Sequence, residues 1–199
     1  MLEAGGLFGS RCVGCRCRGP LLCDTCLRTA PRPAGLRRPP QVDRVLCPWS
    51  YEGVARSLIL RLKVRGVDSA ARPLASAMVS EVHGNGLGAG VVTWVPGRPR
   101  DMRRRGFDHA EVLARLVARE LGLACLPMLV RRGHQADQAG LTAGQRARNL
   151  SGAFVARSGP KRVLVVDDVM TTGSTLASCA RALRAGGIRS IEALVAAAA

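Results

Sequence analysis

What this 199-residue chain lacks narrows its class before any motif is read. No apolar run approaches the roughly 20 residues of a membrane span, and nothing near the N-terminus has the apolar core of a signal peptide. The expectation is a cytoplasmic protein with no membrane span. Aromatics are scarce, at two Trp, one Tyr and three Phe, so a stacking clamp for a base is hard to nominate. His83, His109 and His134 show no ligand spacing, and no Ser/His/Asp or Cys/His set is evident, which leaves nucleophilic protein catalysis without candidates. Lysine is nearly absent: Lys63 and Lys161 are the only two among 30 basic residues.

The abundant residue is arginine. With 14 acids against 30 bases the formal charge is +16, which attracts polyanions, either nucleic acid or a polyphosphate ligand. A G+C-rich coding sequence would also favour Arg over Lys, so the net charge is the stronger signal. Eight cysteines in a reducing compartment are not read as disulfides. Five of them crowd between residues 12 and 26, while Cys47, Cys125 and Cys179 stand alone as small apolar residues.

Cys12-x-x-Cys15 and Cys23-x-x-Cys26 form two knuckles separated by seven residues. Four thiolates suit tetrahedral Zn2+ and leave no position for water, which makes the site structural. Cys17 could replace a neighbour or be a spare thiol. Four prolines between residues 31 and 40 then read as an extended linker. The expected domains are 1–40, a four-cysteine zinc ribbon plus linker, and 41–199, an α/β domain.

In that second part, residues 54–66 and 71–84 show helical spacing, and "AGVVTWVPG" reads as a short buried strand. A helix runs from Ala110 to a stop at Gly122. "LACLPMLV" reads as a strand that Pro127 confines to an edge or bend. "TAGQRARN" reads as a short helix and "GAFVAR" as a short strand. Near the end, a strand over 162–166, a helix bearing Leu176, Cys179, Ala180 and Leu183, and the strand "IRSIEALVA" form a βαβ unit, hence a parallel sheet flanked by helices.

The stretch "VLVVDDVMTTGSTL", residues 163–176, carries the sharpest chemistry. Asp167 and Asp168 sit where a parallel strand opens into the crevice that binds ligands. Two adjacent anions are costly to bury unless hydroxyls, a metal or cations satisfy them. Thr171, Thr172, Gly173, Ser174 and Thr175 follow at the start of a helix, whose free amides hold a phosphate. A diol at one end and a phosphate at the other describe a ribose 5-phosphate. An acidic turn followed by an ordinary helix cap is the bland alternative.

This segment resembles the phosphoribosyl-pyrophosphate (PRPP) motif of type I phosphoribosyltransferases. With the paired "CxxC" knuckles, "YEGVARSLILRLKVRG", "VPGRPRDMRRRGFDHAEVLA" and "QAGLTAGQRARNLSGAF", the chain resembles the ComF family of competence-associated phosphoribosyltransferase-like proteins over nearly its whole length. The resemblance implies a Rossmann-type core. Asp167 and Asp168 would hold the ribose hydroxyls as the catalytic pair, and Thr171 to Thr175 would wrap the 5-phosphate. Gly97, Arg98, Arg105, Gly106 and Lys63 would serve the pyrophosphate and substrate loop, with Mg2+ accompanying PRPP and a mobile cover following the loop. Gln138, Arg146 and Asn149 match the family pattern without an independent chemical role. Asp108-His109 departs from it, since Asn-Gln is common there, as does Gly97-Arg98.

Two functions follow as expectations. One is transfer of the phosphoribosyl group to a nitrogenous acceptor with release of pyrophosphate. The other is a non-catalytic module handling single-stranded DNA, alongside other DNA-uptake proteins, that keeps the PRPP-type site as a ligand sensor.

Overall fold

The computed structural model describes residues 11–65, 68–132 and 152–199. Elements are numbered here over those residues: α1 (Asp24–Thr29), β1 (Arg44–Leu46), β2 (Trp49–Ser50), α2 (Gly53–Arg65), α3 (Asp68–Asn85), β3 (Val91–Trp94), α4 (Pro99–Arg105), α5 (His109–Leu121), β4 (Ala124–Cys125), β5 (Leu129–Arg131), β6 (Phe154–Ala156), β7 (Arg162–Met170), α6 (Ser174–Ala185) and β8 (Ser190–Ala198). The expected helix at "TAGQRARN", with Gln138, Arg146 and Asn149, lies outside the described residues, as does His134.

A parallel sheet organises the chain, in the order β1-β8-β7-β3-β4 with β2 also on β8. β1 and β2 form one edge line along β8, interrupted around Pro48, which has no N–H for the ladder. The two long strands β7 and β8 lie inside, and β8 is buried on both faces, which is why it reads as an apolar run from Ile191 interrupted only by Glu192, whose carboxylate pairs with Arg44. Alternation along β7 sends Leu164 and Val166 to one face and Val163 and Val165 to the other. The first face packs on α2, α3 and α5 through Leu58, Leu62, Met78 and Leu113. The second packs on α6 and the antiparallel β5–β6 pair through Leu176, Leu183, Leu129 and Phe154. This is the α/β core expected of the sequence.

Three local readings are corrected. β7 does not stop at residue 166: its ladder with β8 continues through Asp167↔Val195, Val169↔Ala197 and Met170↔Ala198, because β8 is equally long. "LACLPMLV" is two strands, β4 on β3 and β5 on β6, with Pro127 between them where a strand would need an N–H. The arginine-rich segment expected as a loop or mobile cover is the helix α4, with Pro99 at its first position and Gly106 closing it at φ +80° through a bond from its N–H to Met102 O. β1, β2 and α1 had no reading in the sequence.

The cysteine segment leans on the same core: Val13, Leu21, Leu22 and Ala30 pack against the cluster formed by α2, α3 and α5. Leu164 is fully buried at the centre of the sheet. Leu164→Ala should therefore cost about 2–5 kcal/mol in urea unfolding, while Val64→Ala on an exposed position should stay within about 0.5 kcal/mol.

Candidate ligand site and cysteine cluster

The acidic pair is split by the pleat of the strand that carries it. Asp168 turns to the α2/α5 face, where it is 5% exposed, and its Oδ2 lies 2.5 Å from the Lys63 ammonium and 3.5 Å from His109 Nε2. That oxygen takes no hydrogen bond of ordinary geometry, so the contact is one of charge. Oδ1 accepts from the Val169 amide at 2.9 Å. Burial raises the Asp168 carboxyl, but His109 and Lys63 together outweigh it and hold the group below the usual carboxylate range. Asp167 is half-buried on the other face, where its Oδ1 accepts from the Asp168 amide at 2.9 Å. Burial, and then the neighbouring Asp168 charge, push its carboxyl well above the ordinary value.

Asp167 opens on the turn that follows β7. With Met170, Thr171, Gly173, Ser174 and Thr175 it lines a hollow of about 30 Å³, room for about one water. Gly173 is the left-handed residue before α6, at φ +73°, and a Cβ there would come within 2.6 Å of Pro39 Cγ. Glycine is required twice over, by its backbone angle and by the linker proline resting on it. Thr172 Oγ1 donates to Ser174 Oγ at 3.0 Å, and α6 begins with Ala177 N bonded to Gly173 O at 2.9 Å. A larger groove, about 360 Å³, opens at the carboxyl ends of β2 and β8 beside Tyr51 and Glu52. It contains none of the candidate ligand-site residues named from the sequence, only the linker's Pro33 and the first two residues of the "YEGVARSLILRLKVRG" segment, and the helix-start amides that suit an anion are at the smaller hollow.

The turn after β3 lies at the same edge, since β3 pairs with β7 and Val95 N bonds Val166 O at 3.0 Å. Gly97 donates its amide to Asp108 Oδ2 at 2.8 Å, and Asp108 Oδ1 accepts from Ala110 N, capping α5. Arg98 precedes α4 and Arg105 ends it, 3.5 Å from His109 Nδ1. Lys63 and Arg105 thus meet the Asp168 side of the strand, while the Thr171–Thr175 turn meets the Asp167 side. Asp108 and His109, residues of the departing dipeptide, were missed as site parts. The Asp before a helical run was an available N-cap signal, and nothing in the pattern announced His109.

At the other motif, the sulfurs of Cys12, Cys15, Cys23 and Cys26 lie within 4.8 Å of one another. Cys15 and Cys23 are 3.6 Å apart, and the donor set fits a tetrahedral metal. Cys17 stands outside the set of four, 3.2 Å from Cys15 Sγ. Gly14 is needed inside the first knuckle, where a Cβ would sit 2.7 Å from both Cys26 Sγ and Val54 Cγ1. The three solitary cysteines behave as small apolar residues: Cys47 and Cys179 are buried, and Cys125 is half-buried.

The split acids should have opposite effects on stability. A depressed carboxyl stabilises the fold above its unfolded pKa and loses that contribution as pH falls through the folded value; a raised one costs stability as pH rises above the unfolded value. Asp168→Asn should therefore lower the melting stability at pH 7 and Asp167→Asn should raise it, each on the order of 1 kcal/mol or more. Both differences should shrink toward pH 3.5 in thermal melts.

A phosphoribosyl transferase domain family matches residues 108–199. The chain is 30% identical over 184 residues to the DNA utilization protein YhgH of Salmonella typhimurium, covering 86% of this chain and 81% of that one. The Escherichia coli K12 protein of the same name is 30% identical over 166 residues, covering 79% and 73%. Competence protein F of Haemophilus influenzae is 38% identical over 95 residues, covering 45% of this chain but only 42% of that relative. Among solved structures, an allosteric regulatory enzyme of purine biosynthesis shares 20% identity at a TM-score of 0.43, over 63% of this chain and 25% of that one. A protein from Thermus thermophilus shares 18% at 0.36, over 63% and 72%. At those scores the fold is read from the chain's own sheet and the family match. No described helix is long and apolar enough to cross a membrane. The parallel sheet, the cysteine cluster and the extended YhgH match establish that the chain belongs to the ComF/YhgH family of phosphoribosyltransferase-like proteins.

Proposed function

We propose that the chain serves DNA utilisation as a binder of single-stranded DNA whose strand-end site takes up a ribose 5-phosphate group, from PRPP or a related molecule, as a ligand. The observation that carries the ligand half is Asp167 facing the Thr171–Thr175 turn across one hollow. A carboxyl there accepts hydrogen bonds from ribose hydroxyls, and the amides and hydroxyls at the start of α6 hold the 5-phosphate. The hollow is smaller than a phosphate, so Pro39 and the turn must give way on binding. Mg2+ would accompany PRPP.

For the DNA half, the support is the charge of +16 and the names of the relatives. Trp49, Trp94 and Phe154 are buried, so contact would rest on arginine and phosphate more than on stacked bases. A second reading, phosphoribosyl transfer to a nitrogenous acceptor, is favoured by the Gly97–Arg98 turn standing beside β7, where a pyrophosphate leaving group would be received. We divide the chain as 1–40 and 41–199, with Cys12, Cys15, Cys23 and Cys26 holding Zn2+ to stiffen the first part.

Calorimetry should show PRPP binding that Asp167→Asn weakens about tenfold or more. Affinity for single-stranded DNA should fall with salt at a log–log slope of about −0.7 per phosphate contact. A screen of nitrogenous acceptors should release no pyrophosphate. Turnover with any acceptor would establish the second reading instead, and a flat salt response would remove the DNA one. Metal analysis should find one zinc per chain, lost together with thermal stability in Cys26→Ser.

A further inference from the structure

Cys17 is the fifth thiol of the knuckle segment, and the four-sulfur set is complete without it. It lies two residues from Cys15, and Arg16 between them takes the left-handed backbone, at φ +62°, that a residue other than glycine seldom adopts. The Cys12 N–H bonds Cys17 O and the Arg16 N–H bonds Cys12 O, each at 3.0 Å, which ties Cys17 beside the first knuckle. Its Sγ lies 3.2 Å from Cys15 Sγ, closer than the 3.6 Å from Cys15 to Cys23 within the set. A disulfide bond of about 2.0 Å is therefore a short movement away.

Exposure orders these thiols. Cys12 is buried, Cys23 and Cys26 are half-buried, and Cys15 and Cys17 are exposed. An oxidant arriving from solvent thus meets Cys15 first among the four candidate ligands, and a cysteine that binds a metal does so as the thiolate, the nucleophilic form. Oxidation of a thiolate with no neighbour runs from sulfenic acid on to sulfinic acid, which thiols do not reverse, whereas a second thiol in contact condenses with the sulfenic acid first.

We propose that Cys17 is the resolving thiol of Cys15, a modification site that turns peroxide attack on the cluster into a reversible disulfide. The Cys15 thiolate gives an electron pair to one oxygen of a peroxide; an S–O bond forms, the O–O bond breaks and hydroxide leaves. The Cys17 sulfur then attacks the Cys15 sulfenic acid, the S–S bond forms, the S–O bond breaks, and the departing hydroxide takes the Cys17 thiol proton to leave as water. The two sulfurs together lose two electrons, and the two peroxide oxygens gain them. Cys12, Cys23 and Cys26 are left unoxidised, so three of the four donors survive and a dithiol reductant restores the fourth. The inference rests on the reading of the four cysteines as a metal site.

The test is peptide mass mapping and metal analysis of the zinc-loaded full chain, before hydrogen peroxide, after it, and after dithiothreitol with zinc resupplied. The wild type should form a Cys15–Cys17 disulfide and return to one zinc per chain. Cys17→Ser should carry the same zinc before treatment, then accumulate several-fold more sulfinic acid at Cys15 and fail to regain metal in that fraction. Equal sulfinic acid in the two chains, or a wild-type disulfide joining Cys15 to Cys23 instead, would overturn the proposal. So would a Cys17→Ser chain that never holds zinc, since Cys17 would then be a ligand. If Cys17→Ser fails to fold, the wild-type map decides, and any first disulfide other than Cys15–Cys17, or none, overturns it. A wild-type chain that binds no zinc yet forms the Cys15–Cys17 bond would sink the metal reading and leave the thiol pair standing.

Discussion

The carboxyl edge of this protein is governed by a strand that stays hydrogen-bonded through two adjacent aspartates. Because β7 remains paired to β8 past Val166, Asp167 and Asp168 obey the pleat and leave on opposite faces of the sheet. A loop at that position would have let both carboxyls turn to one ligand. A strand does not, and the two acids acquire separate surroundings and pKa shifts of opposite direction. Asp168 is tied to α2 and α5 through Lys63 and His109; Asp167 is left to the hollow before α6.

That division gives the edge its chemistry. On the Asp168 side, the Lys63 ammonium neutralises a carboxylate that is almost wholly buried, with the His109 ring beside it, which a sheet of this depth could not otherwise hold. Asp108 and Arg131 meanwhile clamp the neighbouring turn from either end of a single peptide. The proposed ligand meets one acid, one amide-rich helix start and one arginine-bearing turn, each supplied by a different strand end. Pro39 adds the linker to this edge by resting on Gly173, so the segment between the cysteine cluster and the sheet also borders the hollow.

Much of this was legible in the sequence because period and spacing encode it. The 3.6-residue spacing of α5 and α6, the apolar run of β8 and the paired knuckles all describe elements whose burial is set by their own residues. The grouping of Thr171–Thr175 with Asp167 was also readable, since strand, turn and helix follow one another along the chain. What the sequence did not disclose depends on partners far away in it. The length of β7 is fixed by β8, and the break at Pro127 by two different neighbouring strands. α4 hides in a run of arginines because propensity and capping, with no buried face, define it. Lys63 was singled out in the sequence for the pyrophosphate and substrate loop and not as the counter-ion of Asp168, and the contacts of His109 and Arg131 arise only when α5 and β5 are laid against β7 and β3.

The central claim is that the two aspartates are chemically unlike and that only one faces a ligand. Side-chain carboxyl carbon NMR, recorded from pH 3 to 8 with and without ribose 5-phosphate, tests it most directly. The account predicts an Asp168 resonance that stays in its ionised position down to the acid limit and ignores the sugar phosphate, beside an Asp167 resonance that titrates above the ordinary carboxylate range and shifts on its addition. Two resonances that titrate together, or that both move with the sugar phosphate, would contradict it.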